Sequence, residues 1–109
     1  MIARRLALAS LAVAVLTAPA FAANAATIFA KNCALCHGKE GQPNATFAKQ
    51  GVRNFKDPDW QKATTDEQIE KSIREGKRGT LMASFRKQYS AEEIQALVAY
   101  IRKLGTAKK

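Results

Sequence analysis

Both cysteines of this 109-residue chain and its single histidine lie in one short run, Cys33-Ala34-Leu35-Cys36-His37. Residues i, i+3 and i+4 share one face of a helix, so this spacing turns two thiols and an imidazole in the same direction. That arrangement can hold one planar ligand covalently and ligate its metal. The spacing C-x-x-C-H is the haem-attachment motif, and we predict that Cys33 and Cys36 form the haem thioethers and that His37 ligates the iron.

Three other interpretations of the cysteines are weaker. A disulfide between Cys33 and Cys36 would close a loop too short to stabilise the chain much, and it would leave His37 without a role. A thioredoxin-like redox pair requires a strand before the first cysteine, whereas the pattern here is helical. A structural zinc needs four ligands, so a carboxylate would have to complete the set.

Met82 is the only methionine apart from Met1. A lone methionine often fills a gap in the core. Met82, however, lies in an irregular, glycine-bearing segment between two predicted helices, where flexible backbone can aim a side chain inward. We predict that it is the second axial ligand. Histidine and methionine together raise the reduction potential and occupy both axial positions, which favours an electron carrier over an enzyme.

The N-terminus is typical of a secretory signal peptide, with Arg4 and Arg5, then an apolar stretch, then small residues. We predict cleavage at the end of residues 1–22, with an alternative end at residue 25, which leaves a domain over residues 23–109. An uncleaved anchor helix is the other interpretation. The apolar stretch is short against the ~20 residues that span a bilayer, so we expect a periplasmic protein.

The chain is basic, with 18 Lys and Arg against 9 Asp and Glu and a net charge of +9. Outside the cytoplasm this charge predicts acidic redox partner proteins, such as a dehydrogenase, reductase or oxidase, or transient contact with an anionic membrane surface, and no nucleic acid. We expect a monomer. The cations Lys77, Arg78, Arg86 and Lys87 flank Met82 and form either a positive collar at the haem edge or an ordinary solvated run.

Apolar positions with helical spacing predict three helices and no strands, which indicates an all-α fold. Residues 38–64 carry several Gly and Pro and are predicted to be mostly loop. The predicted helices are Ala26–Cys36 with Thr27 as a candidate N-cap, a helix from the Thr65/Gln68 capping box to Gly76, and a helix from the Ser90/Glu93 capping box to Gly105.

The sequence after the signal peptide resembles the class I cytochromes c, small single-haem proteins with an N-terminal C-x-x-C-H and a later methionine. The resemblance covers essentially all of that sequence. It implies a cytochrome c-like fold, with three or more helices wrapped around one covalently bound haem c. It also implies that Phe29 of the N-terminal helix meets Leu97 and Tyr100 of the C-terminal helix. Ala83 departs from the pattern, because many bacterial relatives have proline after the methionine.

Two further roles are implied by the resemblance alone. Trp60 matches a tryptophan that often donates to a haem propionate, although a plain core aromatic is an equal interpretation. A proline carbonyl commonly accepts the N–H of the proximal histidine in this family, and Pro43 is the candidate here.

The expected function is a one-electron shuttle through covalently bound haem c in a periplasmic respiratory or oxidative chain. One alternative is a dedicated cytochrome subunit or acceptor of one dehydrogenase. Another is a haem-based sensor or peroxidase, which needs a labile sixth ligand.

Overall fold

The computed structural model describes residues 7–13 and 20–107, and every regular element within them is a helix. The all-α class predicted from the apolar periodicity is therefore confirmed. The helices are α1 (Ala20–Asn32), α2 (Ala34–His37), α3 (Ala45–Lys49), α4 (Pro58–Ala63), α5 (Asp66–Glu75) and α6 (Ala91–Thr106).

The packing of α1 against α6 forms the centre of the domain. Ala25, Phe29 and Leu97 are each only 1% exposed, and the small side chain of Ala25 lets the two helices approach closely. The ring of Phe29 lies 5.1 Å from that of Tyr100, at an interplanar angle of 50°. This is the helix contact that the resemblance to class I cytochromes c implies. Burial of these large apolar groups is the main stabilising term.

Both predicted capping boxes are present. The Thr65 hydroxyl accepts from the Gln68 N–H, and the Gln68 side chain accepts from the Thr65 N–H, at the start of α5. Ser90 and Glu93 do the same for α6. These bonds satisfy N–H groups that the first helical turn leaves without partners. α5 then buries Ile69 and Ile73 on one face.

The prediction of one N-terminal helix over 26–36 is wrong in its bounds. α1 begins at Ala20, because the alanine-rich segment before residue 26 has high helix propensity. Thr27 therefore lies inside α1 and is not its N-cap. α1 ends at Asn32, a turn follows at Cys33, and α2 continues to His37. The Cys33 N–H still donates to the Phe29 carbonyl over 2.9 Å, so the chain keeps its direction across this break.

Residues 38–64, predicted to be mostly loop, contain two short helices. Asn44 caps α3 by accepting from the Phe47 N–H, and Asp57 caps α4 by accepting from the Asp59 N–H. Pro58 stands at the first turn of α4, where its missing N–H costs nothing. Helices of five and six residues are too short to show an apolar period.

Arg102 joins α6 to α4. Its guanidinium donates to the Gln61 carbonyl over 2.7 Å, to the Thr64 carbonyl over 2.5 Å and to Asp66 Oδ1 over 2.7 Å. Gln61 Nε2 in turn donates to the Phe55 carbonyl over 2.7 Å.

Gly105 lies inside the last turn of α6 rather than beyond it, and a Cβ there would come within 2.5 Å of Gln61 Nε2.

Most of the predicted signal peptide lies outside the described residues, which begin at residue 7 and omit 14–19. Within residues 7–13 the side chains of Leu8, Leu11 and Val13 are exposed. No helix in the described part of the chain has the length and apolar character needed to cross a membrane.

Candidate haem site

A cavity of about 910 Å³ lies between α1, α5 and the segment that carries Met82, at the upper end of the range for small-molecule sites. Cys33, Cys36, His37 and Met82, the four residues predicted to attach and ligate a haem, all line it. Trp60 lines it as well. Residues far apart in sequence are thus brought to one site by the fold, as the haem prediction requires.

The orientation of His37 is set by one loop. Its Nδ1 lies 3.0 Å from the carbonyl oxygen of Arg53, and since a carbonyl can only accept, Nδ1 carries the proton. Nε2 then carries the lone pair that a metal would bind. The ring also stacks on Phe55, with centroids 4.3 Å apart and planes at 15°. Both contacts come from residues 53–55.

Pro43 does not accept from His37, so that prediction is wrong. Pro43 lines a separate, shallow depression beside Leu35 and Asn44. The loop after His37 turns sharply at Gly38 and Gly41, and the Phe55 N–H donates to the Gly41 carbonyl over 2.8 Å. This bond brings residues 53–55, rather than Pro43, against the imidazole. A backbone carbonyl belongs to every residue type, so no sequence signal marks Arg53 for this role.

Burial lowers the pKa of His37, and its hydrogen bond to Arg53 opposes that shift. A neutral imidazole is the form that binds a metal. Burial, together with the neighbouring Cys36, raises the pKa of the Cys33 thiol to about 11. A thioredoxin-like nucleophile needs a lowered thiol pKa, so this environment does not fit a redox pair. The two cysteines are also not bonded to each other.

Met82 is held by the backbone around it. The Lys77 N–H donates to the Met82 carbonyl over 3.0 Å, and the Phe85 N–H donates to the Ile73 carbonyl over 2.9 Å. The Thr80 hydroxyl accepts from the Met82 N–H and donates to the Lys77 carbonyl. The segment was predicted to be flexible and irregular. It is irregular, but it is pinned to the end of α5.

Gly76 allows the Met82 segment to pass close to the end of α5. Its φ is +70°, which side chains with a Cβ rarely adopt, and a Cβ here would lie 2.7 Å from the Met82 carbonyl oxygen. Only glycine can therefore end α5 and let the returning chain pass so closely. The predicted role of Gly76 as a helix terminator is confirmed, whereas its close approach to the Met82 carbonyl has no local sequence signature.

The residues lining the cavity include three cations, Arg53, Lys71 and Lys77, and no aspartate or glutamate. Such a wall favours a ligand that carries carboxylates, as haem does in its two propionates. Trp60 packs on Phe55 with ring centroids 5.1 Å apart, so it has a core role in addition to its place in the cavity wall. The residues that line the cavity fit a haem by size, apolar walls, donor set and charge.

Within residues 7–13 and 20–107 no group of three or more His, Cys, Asp or Glu is arranged to hold a metal ion. A classical zinc site is therefore not present in that part of the chain. An imidazole and a thioether, by contrast, are the axial pair of cytochromes c.

Known proteins match this chain over most of its length. The family model described as cytochrome c oxidase, cbb3-type, subunit III matches residues 20–101. The cbb3-type cytochrome c oxidase subunit FixP of Azorhizobium caulinodans is 36% identical over 80 residues, which are 73% of this chain and 26% of that protein. FixP of Bradyrhizobium diazoefficiens is 29% identical over 87 residues, 80% of this chain and 29% of that protein. The chain thus spans less than a third of the length of these curated relatives.

Among solved structures, the KustC0563 c-type cytochrome superposes with a TM-score of 0.67 and 34% identity, covering 73% of this chain and 95% of that protein. A mutant of the same cytochrome superposes with a TM-score of 0.66 and 35% identity, covering 73% of this chain and 96% of that protein. The chain belongs to the c-type cytochromes of the cbb3-type oxidase subunit III family, which confirms the resemblance to small class I cytochromes c. Membership of this family implies a covalently bound haem c.

Proposed function

We propose that this chain is an exported one-electron carrier with a single haem c, attached through Cys33 and Cys36 and ligated by His37 and Met82. The observation that carries the proposal is the meeting of all four side chains in one cavity that fits a haem. When bound, the haem supplies an iron that alternates between ferric and ferrous states and so holds or releases one electron.

The chain's own residues supply attachment and orientation. Cys33 and Cys36 would hold the haem, because each thiol would add across one vinyl group, with a carbon–sulfur bond formed and the thiol proton passed to the neighbouring vinyl carbon. No oxidant or reductant is consumed. The Arg53 carbonyl and the Phe55 ring fix the orientation of the His37 imidazole, which would ligate the iron. Trp60, whose indole N–H is a donor, is proposed to bind a propionate at the cavity wall.

With His37 and Met82 both holding the iron, the haem would supply outer-sphere electron transfer. The hydrogen bonds of Lys77 and Thr80 hold the backbone of Met82 and so disfavour its departure from the iron. A sensor or peroxidase needs an axial position that opens readily, and the pinned segment argues against that alternative. The carrier role is therefore preferred over a catalytic one.

The proposed partner is an acidic redox protein that docks near Met82. Leu81 is 62% exposed and lines the cavity, and Lys77 lines it too, so an apolar contact and a cation lie together at its mouth. Arg86 is different, because its guanidinium pairs with Glu75 at 3.4 Å. The predicted collar of four cations therefore reduces to Lys77, Arg78 and Lys87, which have no ion pair within the described residues.

A dedicated oxidase subunit is the second candidate function. The family model and the FixP relatives, whose names describe subunits of a cbb3-type oxidase, favour it. The chain matches less than a third of those relatives. The carrier and the subunit are distinguished by whether the haem protein co-purifies with an oxidase complex or is isolated alone.

Export through a cleaved signal peptide is part of the proposal. The exposed apolar side chains of Leu8, Leu11 and Val13 have no role in the core, which supports their belonging to a signal segment. Ala25 is 1% exposed and packs in the core, so cleavage after residue 25 would remove it, whereas cleavage after Ala22 would keep it. We therefore favour the cut after Ala22.

Mass spectrometry of the purified, denatured protein tests attachment and processing together. The expected species starts at Ala23 and carries the mass of one haem. Cys33→Ser and Cys36→Ser variants retain the haem through one bond each, and the double variant loses it on denaturation. A wild-type chain without added haem mass would contradict the proposal.

A further inference from the structure

A hydrogen bond joins two side chains that are 57 residues apart: Asn32 Nδ2 donates to the hydroxyl of Tyr89. Asn32 is the last residue of α1 and directly precedes Cys33. Tyr89 directly precedes Ser90, the N-cap of α6. Both side chains line the cavity that holds His37 and Met82. The bond therefore connects the attachment side of the site to the Met82 side.

Tyr89 is coupled to the Met82 segment through Phe85. The Tyr89 N–H donates to the Phe85 carbonyl over 3.1 Å, and the two rings lie 6.2 Å apart. Phe85 also lines the cavity, and its own N–H is bound to Ile73. The short path from Met82 to Tyr89 is therefore ordered along its length.

The other hydrogen bonds of this segment run to α5 or stay within it, through Lys77, Ser84 and Phe85. Between residues 20–37 and 76–90, the bond from Asn32 to Tyr89 is the only hydrogen bond that the described part of the chain contains. It is therefore the one direct polar contact, among the described residues, between the segment that carries Cys33 and His37 and the segment that carries Met82.

We propose that Asn32 and Tyr89 are positioning residues that keep Met82 on the iron and so slow its dissociation. This inference rests on the proposed function, because it requires that Met82 be the sixth ligand. A purely structural role for Tyr89 is the competing explanation, since an apolar residue before a helix N-cap packs against the fourth helical residue, here Ile94. A phenyl ring would satisfy that packing, whereas only the hydroxyl can accept from Asn32.

Tyr89→Phe separates the two explanations, because it removes one oxygen and keeps the ring. The probe is imidazole, which binds ferric haem only after the methionine leaves. At saturating imidazole the observed rate reports methionine dissociation. We expect Tyr89→Phe and Asn32→Ala each to raise that rate by about fivefold, the factor expected for loss of one hydrogen bond, and the double variant to match the single variants. The control is Tyr100→Phe, which removes the same atom from a tyrosine that packs on Phe29 but does not itself line the cavity.

A rate for Tyr89→Phe equal to that of the wild type, or effects of the two substitutions that simply multiply in the double variant, would overturn the inference. The far-red absorption band of methionine-ligated ferric haem is recorded in the same samples. If the wild-type protein lacks that band, the proposed function fails and this inference fails with it. If the band is present and the rates do not change, only the inference fails.

Discussion

His37 and Arg53 are joined by a hydrogen bond of 3.0 Å between the imidazole Nδ1 and a backbone carbonyl oxygen. The same residue, Arg53, also lines the cavity. One residue thus combines two separable functions, a backbone acceptor that orients the proposed proximal ligand and a side-chain cation at the wall. Substitution of Arg53 changes the charge of its side chain and leaves its backbone carbonyl in place.

We therefore expect Arg53→Gln to retain His37 ligation while it lowers the reduction potential. A cation near the haem favours the ferrous form, which is less positively charged, so its loss favours the ferric form. The decrease should be on the order of 10 mV, because Arg53 is exposed and water screens its charge. A spectroelectrochemical titration measures it, with Arg53→Lys as the charge-preserving control. A higher potential in Arg53→Gln would contradict the assignment.

Two glycines near Met82 form a matched pair. Gly76 and Gly79 have φ values of +70° and +78°. A Cβ added at Gly76 would lie too close to the Met82 carbonyl oxygen, whereas a Cβ added at Gly79 would meet no atom within 4 Å. Gly79→Ala should cost about 1 kcal/mol for the left-handed backbone alone. Gly76→Ala should cost clearly more and should weaken the far-red band. Chemical denaturation of the two holoproteins measures the difference, and equal losses would show that the Met82 contact is unimportant.

Arg102 should stabilise the fold through the carbonyls it binds rather than through its ion pair. Asp66 is 66% exposed at the side chain, and pairs of this kind contribute ~0–1 kcal/mol. The Gln61 and Thr64 carbonyls are part-buried, and each loses its charged donor in Arg102→Met. We expect Arg102→Met to cost about 2–3 kcal/mol and Asp66→Asn less than ~1 kcal/mol. The opposite order in urea denaturation would contradict this account.

Lys77 and Arg86 provide a test of docking. Lys77 lines the cavity without an acidic partner among the described residues, whereas Arg86 is paired with Glu75. Oxidation of the ferrous protein by the anion hexacyanoferrate(III) should slow in Lys77→Gln more than in Arg86→Gln, because Lys77 lines the cavity and Arg86 does not. Added salt should shrink the difference. Stopped-flow rates that are equal in the two variants, or independent of salt, would contradict the proposed role of Lys77.

The sequence was most informative where chemistry depends on residue identity. The run from Cys33 to His37 and the lone Met82 identified four residues that the fold brings into one cavity, and the capping boxes located the starts of α5 and α6. Those features are local, or they depend on residue types that are rare in this chain. The helical class followed from the spacing of the apolar residues.

The sequence was uninformative where geometry depends on backbone or on distant pairs. The Arg53 carbonyl has no residue-specific signature, and the choice of Pro43 in its place was wrong. The hydrogen bond between Asn32 and Tyr89 joins residues 57 positions apart, and no local sequence pattern predicts it. α3 and α4 were missed because their stabilising caps, Asn44 and Asp57, stand in segments too short to show a period.

The absorption spectrum of the purified ferric protein tests most directly whether Met82 ligates the haem iron. We predict a far-red band in the wild-type protein that is absent in Met82→Ala, while both proteins keep the covalently attached haem. Leu81→Ala, a change at the exposed neighbouring residue, should retain the band. A band that persists in Met82→Ala would contradict the ligand assignment on which the electron-carrier proposal depends.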